Sequence, residues 1–144
     1  MKVVDVNVTL YAFNADSEFH PKVVTWWEAA YAGDESVGFT WITLYGFLRL
    51  STHPRVFNQP ISVNEALEHV DTWLQSPIGQ IVQETDEHWR IMRQTVETVG
   101  TAGDLTTDAH LAALAISRGA TVVSCDRDFS RFRGLRWENP LDSP

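Results

Sequence analysis

Short runs of β-branched residues alternate along this chain with longer stretches of helical periodicity, and three of the transitions carry an aspartate. Val3-Val4 leads into Asp5, and Thr121-Val122-Val123-Ser124-Cys125 leads into Asp126. Asp108 opens the Ala-rich run from Ala109 to Ala115. Parallel strands need crossovers of a dozen residues or more, usually a helix, so this alternation predicts an α/β fold with a mainly parallel sheet flanked by helices. In such a sheet the strand ends meet at one edge, and ligands bind there. Three carboxylates delivered to that edge repel one another. A hard divalent cation such as Mg²⁺ relieves the repulsion and also takes phosphate oxygens of a substrate. The expectation is a metal-dependent phosphodiester enzyme.

The elements follow from local chemistry. A first strand occupies residues 1–6, and Asn7 is placed to cap a short helix through Leu10 and Phe13. His20-Pro21 starts a helix that Gly33-Asp34 closes; Val37 to Phe39 is a strand, and Trp41 to Leu50 an apolar helix stopped before His53-Pro54. Ser62 with Glu65 forms a capping box for a helix with Val63, Ala66, Leu67, Val70 and Leu74 on one face. Ile78 to Val82 reads as a strand, and Asp86 as the cap of a helix through Trp89, Met92, Val96 and Val99. Gly100 to Gly103 is a loop before the Asp108 helix, and a short strand near Leu135-Arg136-Trp137 ends the pattern. No repeat, linker or low-complexity segment interrupts it, so residues 1–144 are expected to form one domain.

Composition narrows the class. An apolar fraction of 44% with 21% charged residues is that of a globular protein, and no apolar stretch has the length of a membrane span. The N-terminus lacks a signal-peptide plan, and a single cysteine, Cys125, allows no internal disulfide; both fit a cytosolic protein. A net charge of −8 opposes general affinity for nucleic acid. The late arginines Arg118, Arg127, Arg131, Arg133 and Arg136 read either as a solvated face or as a rim for RNA phosphates.

Each aspartate alone has an ordinary structural use, as a helix cap or a turn former. Together they carry more. Val4-Asp5-Val6-Asn7-Val8-Thr9-Leu10-Tyr11-Ala12, the stretch from Phe47 to Phe57, Thr107-Asp108-Ala109-His110-Leu111-Ala112-Ala113-Leu114-Ala115, and the stretch from Gly119 to Phe129 together resemble the PIN-domain nucleases, and within them the VapC-like toxins of toxin–antitoxin pairs. The resemblance runs in order over nearly the whole chain. It implies a PIN fold, Mg²⁺ or Mn²⁺ dependence and endoribonuclease activity on transfer or ribosomal RNA. It also implies a homodimer and a VapB-like antitoxin that docks over the toxin. The family's first, third and last acids fall on Asp5, Asp108 and Asp126. The helix glutamate usual in the family falls on Gly46, and Asp104, four residues before Asp108, is a candidate auxiliary ligand.

The implied mechanism is hydrolysis by a metal-activated water, with Asp5 and Asp108 holding the ion, Asp126 holding it directly or through water, and Asn7 and Thr107 orienting the carboxylates. Two rivals exist. Asp5-Val6-Asn7-Val8-Thr9 looks like the opening motif of haloacid-dehalogenase-like phosphatases, but Asn7 replaces their proton-transferring acid, and Lys2 and Lys22 are the only lysines. The missing glutamate also allows a catalytically weakened protein that only binds a partner. His110 sits two positions from Asp108, roughly 200° around a helix, and is read as structural, as are His20, His53, His69 and His88. Cys125 is read as a small buried residue. Most of the six tryptophans are assigned to the core; Tyr11, Trp26 and Trp27 are candidates for an antitoxin groove.

Overall fold

The computed structural model describes residues 1–143. Five strands, β1 (Lys2–Val4), β2 (Val37–Phe39), β3 (Gly79–Ile81), β4 (Thr121–Val123) and β5 (Arg136–Glu138), form one sheet in the order β3-β2-β1-β4-β5, and every pairing is parallel. Six helices connect them: α1 (Val6–Phe13), α2 (His20–Ala32), α3 (Trp41–Ser51), α4 (Val63–Gln75), α5 (His88–Val99) and α6 (Thr106–Arg118). Successive strands step outward from β1 on one side and then restart at β4 on its other side. The switch in direction therefore falls between β1 and β4, where a parallel sheet opens a crevice at its strand ends.

Side chains alternate across each strand, so the two faces have separate cores. Val4 and Val123 face one way with Val37 and Phe39, under residues of α1 to α4. Val3 and Val122 face the other way, under α6 and the partly buried Met92, Val96 and Val99 of α5. The first core is aromatic. Trp73 of α4 stacks on Phe39 at 5.5 Å and meets Phe47 at 4.7 Å and Trp27 at 5.1 Å. Gly79 runs so close to this helix that a Cβ there would lie 1.8 Å from the Trp73 carbonyl oxygen, which only glycine permits. Trp73 is buried, so Trp73→Ala should cost about 3–5 kcal/mol of unfolding free energy in a urea titration. A loss below about 1 kcal/mol would mean that this aromatic cluster does not carry the fold.

Local signals placed most elements. The Ser62–Glu65 capping box is present in full, and Gly100 and Gly119 end α5 and α6 in the left-handed conformation. Two caps differ from expectation. Asp5 rather than Asn7 caps α1, because the chain turns from strand to helix one residue after β1. Asp86 does not cap α5; that helix begins at His88 after Glu87, with no side-chain cap bond. Trp26, Trp27 and Trp73 are buried, whereas Trp41 and Trp89 are exposed. No helix among the described residues is long and apolar enough to cross a membrane.

Candidate active site

Asp5 sits where β1 becomes α1. Its extended backbone lets one carboxylate oxygen accept the amide of Val6 at 2.7 Å, which caps the helix. The other oxygen accepts the Asn7 side-chain amide at 2.8 Å and the Ser124 hydroxyl at 2.7 Å. Ser124 is fully buried at the end of β4, beside β1, and its hydroxyl oxygen also accepts the Asp126 amide. Asn7 spans the same gap, since its side-chain oxygen accepts the Cys125 amide at 3.0 Å. The ends of β1 and β4 are thus tied together through side chains. This network holds the Asp5 carboxylate in one orientation, with part of its acceptor capacity still free.

Asp108, Asp126 and Asp128 each offer a carboxylate oxygen within 4.8 Å of the others. Asp108 is half-buried in the first turn of α6. Asp126 caps the 3-10 turn Arg127–Arg131 by accepting the Asp128 amide at 2.9 Å, which folds Asp128 back beside it. Burial, then the neighbouring charges of Asp5, Asp126 and Asp128, push the Asp108 carboxyl up to about 6. The Asp5 carboxyl is also raised, mainly by burial and further by Asp126, against the lowering effect of its three donors. Carboxylates crowded and desolvated in this way are destabilised as anions, and a cation among them removes the conflict. The donors are all hard oxygens, the set that suits Mg²⁺, Mn²⁺ or Ca²⁺ rather than a thiolate-seeking metal.

Asp128 was missed in the sequence because Asp126-Arg127-Asp128 reads as an ordinary turn; a second acid two residues after a strand-end acid is the signal that was available. Ser124 was missed too, hidden inside an apolar strand. Asp104 lies exposed in the 3-10 turn Gly103–Leu105, before α6 begins, and stands outside the trio; Asp5 stands outside it as well, and is coupled to it through its charge on Asp108 and that of Asp126 on Asp5. Thr107, expected to orient a carboxylate, forms no side-chain hydrogen bond among the described residues. Asn7 does orient one. His110 turns to α5, with 2.9 Å between its Nδ1 and Nε2 of His88, and Glu84 near its other nitrogen. Burial, then His88, holds its pKa down. Cys125 is half-buried, and burial pushes its thiol up to about 12, far from a nucleophile.

The late arginines are partly spent. Arg127 pairs with Asp142 at 2.6 Å, Arg118 donates to the Gln83 carbonyl, and Arg136 donates to the Gly119 carbonyl. Arg49 of α3 instead lines a cavity of about 170 Å³ that shares Asp5 with the acidic centre, together with Gly46 and Thr107. On the Asp126 side a second cavity, of about 220 Å³, is lined by Asn7, Tyr11, Phe19 and Cys125. Trp27 is packed into the core; Trp26, also largely buried, lines a cavity of about 300 Å³ with Lys2 and Glu138 and donates its indole N–H to Glu138.

The PIN domain model matches residues 2–135. Ribonuclease VapC37 of Mycobacterium tuberculosis is 43% identical over 140 residues, covering 97% of each chain. Ribonuclease VapC43 of the same organism is 41% identical, covering 99% of this chain and 97% of its own. Among solved structures, VapBC2 from Rickettsia felis, bound to a DNA fragment from its promoter, aligns with a TM-score of 0.70 at 17% identity, covering 96% of this chain and 97% of that one. M. tuberculosis VapC20, a sarcin–ricin-loop-cleaving toxin, aligns at 0.64 and 18%, covering 94% and 99%. With its parallel five-stranded sheet and its carboxylates gathered around the β1–β4 crevice, the chain belongs to the PIN-domain family, in the group of the VapC ribonucleases.

Proposed function

We propose that this protein is the toxin of a toxin–antitoxin pair, an endoribonuclease whose phosphodiester hydrolysis depends on Mg²⁺ or Mn²⁺ held by Asp5, Asp108 and Asp126, with Asp128 as a further ligand. The observation that carries this reading is the crowding of carboxylates at the switch point of the sheet; burial first, and then these neighbouring charges, raise the Asp108 carboxyl to about 6. A divalent ion bound there supplies Lewis-acid charge to a phosphoryl oxygen and makes water a better nucleophile near neutral pH. The chain's own residues do the rest. Ser124, Asn7 and the Val6 amide hold Asp5 rigid, so it needs no reorganisation when substrate binds. Asp126, fixed by its turn, carries Asp128 with it. Water attacks phosphorus, the bond to the 3′ oxygen breaks, and the products are a 5′-phosphate and a 3′-hydroxyl.

Full-length identity to the VapC ribonucleases supports the RNA substrate. Structural neighbours solved as VapBC complexes support a VapB-like antitoxin. An acidic cleft on a chain of charge −8 suits an arginine from that antitoxin, whose planar fork meets carboxylates in two hydrogen bonds. The exposed Trp41 and Tyr45 of α3, stacked at 5.9 Å, supply an apolar face for a homodimer. A cytosolic site of action agrees with both partners. The test is direct: purified protein should cut transfer or ribosomal RNA with Mg²⁺ or Mn²⁺ and stop in chelator. Undiminished cutting in chelator would reject the metal-dependent mechanism.

Gly46 replaces the usual glutamate, and it lines the same cavity as Asp5. A Cβ there would meet Cγ2 of Val6 at 3.0 Å, a tight contact with the end of one side chain rather than with backbone, which Val6 must ease by a few tenths of an ångström. Gly46→Glu should therefore fold and tighten Mn²⁺ binding by roughly ten-fold, as one more charge-bearing ligand faces the centre. Unchanged affinity in a folded variant, read by calorimetric titration, would show that position 46 does not project to the metal.

A further inference from the structure

We propose that the cavity between α1, α3 and α6 is a subsite for one unstacked ribonucleobase beside the scissile phosphate, and that Gly46 and Arg49 determine what enters it. The proposal rests on the nuclease reading for its substrate, and on its own geometry for the rest. The cavity shares Asp5 with the carboxylate centre, so a group seated in it adjoins whatever bond is cut there. At about 170 Å³ it is smaller than the pockets that take whole drug-sized ligands, and it suits a single planar ring whose sugar and phosphate stay outside.

Its lining matches such a ring. Val6, Ile42, Leu50 and Leu111 give apolar walls for the faces of a base, and His110, paired with His88, lines the cavity beside them. The Thr43 and Thr40 hydroxyls are occupied, donating to the Val4 carbonyl and to Thr43 respectively. Arg49 is exposed and forms no ion pair or side-chain hydrogen bond among the described residues, although Asp5 lines the same cavity. An unpaired guanidinium next to an anionic centre offers donors to base acceptors, or a plane on which a base stacks. Space depends on Gly46, where any side chain would enter from the α3 wall beside Val6. Bases in a duplex are stacked and cannot reach such a recess, whereas loop or single-stranded bases can be splayed into it.

The test uses full-length protein in chelator, so that no cleavage is required, with adenosine, guanosine, cytidine and uridine 5′-monophosphates and ribose 5-phosphate as probes. At least one nucleotide should shift the backbone amide resonances of Gly46 to Leu50 and Thr107 to Leu111 saturably, with ribose 5-phosphate binding about ten-fold more weakly or worse. Arg49→Ala should weaken that nucleotide about ten-fold, and Gly46→Leu should abolish its shifts with the remaining resonances in place. In parallel, wild type with Mn²⁺ should cut a randomised RNA pool with a base preference at one position flanking the cut, and Arg49→Ala should flatten it. If none of the four nucleotides perturbs these segments, or ribose 5-phosphate binds as well as they do, the subsite is overturned, whether or not the pool is cut. If a nucleotide binds as described and the pool stays intact with metal present, the subsite stands and the nuclease reading falls.

Discussion

Asp108→Asn should cut RNA about 10³-fold more slowly or worse, because the variant keeps the shape of the site and removes a charge that the proposed cation and transition state need. Asp5→Asn should do the same by a second route. Its carboxylate accepts from Val6, Asn7 and Ser124 together, and an amide can satisfy only some of those donors. Asp104→Asn is the informative comparison, since that residue is exposed in the turn before α6, apart from the three clustered carboxylates. It should cut within about two-fold of wild type, the size of effect usual for a surface change. The measurement is a time course on labelled RNA with Mn²⁺, beside circular dichroism of each variant. Asp108→Asn protein that cuts within ten-fold of wild type would remove this carboxylate from the chemistry.

The same substitution should stabilise the metal-free protein. The Asp108 carboxyl is raised to about 6 from an ordinary value of 3.8, so the folded state holds the proton more tightly than the unfolded chain. For an acid raised in this way, the favourable contribution is complete below the unfolded value and is lost as pH climbs through about 6. A two-unit shift would be worth about 3 kcal/mol for a fully buried group; Asp108 is half-buried and screened, so about 1 kcal/mol is expected. In chelator the wild type should therefore lose Tm relative to Asp108→Asn between about pH 4 and pH 7, and the two should converge at the acid end. Asp5, raised by burial and by Asp126, pushes in the same direction. Adding Mg²⁺ or Mn²⁺ to wild type near neutral pH should reverse the loss. At about a hundred times Kd the gain is about 2.7 kcal/mol, or several degrees of Tm for a chain of this size. A wild-type Tm that ignores both ions would mean that the carboxylates hold no metal.

The two results belong together. Between them they would set stability without metal against activity with it at the same carboxylates, the trade-off expected where charge is gathered for function. A half-buried aspartate with a merely structural role would give the pH-dependent gap, which burial itself produces, but not its reversal by a divalent ion.

The alternation of β-branched runs and periodic helices was enough to predict the parallel α/β architecture, because both signals are local: spacing of apolar residues, a capping box at Ser62 and glycines after Val99 and Arg118. Asp5, Asp108 and Asp126 stood out for the same reason, each at a strand or helix end that the chain itself announces. The tertiary structure decided what depends on which ends become neighbours. Strand order put β1 beside β4, and so let Ser124 grip Asp5 across 119 residues of chain and Asn7 accept the Cys125 amide across 118. The turn that Asp126 caps brought Asp128, still exposed, within reach of Asp108 on α6. The approach of α3 to α1 set Gly46 against Val6 and placed Arg49 on the cavity that reaches Asp5. Periodicity reports which face of an element is buried, but the partner across that face comes from the packing of distant segments, and there the candidate site acquired its second half.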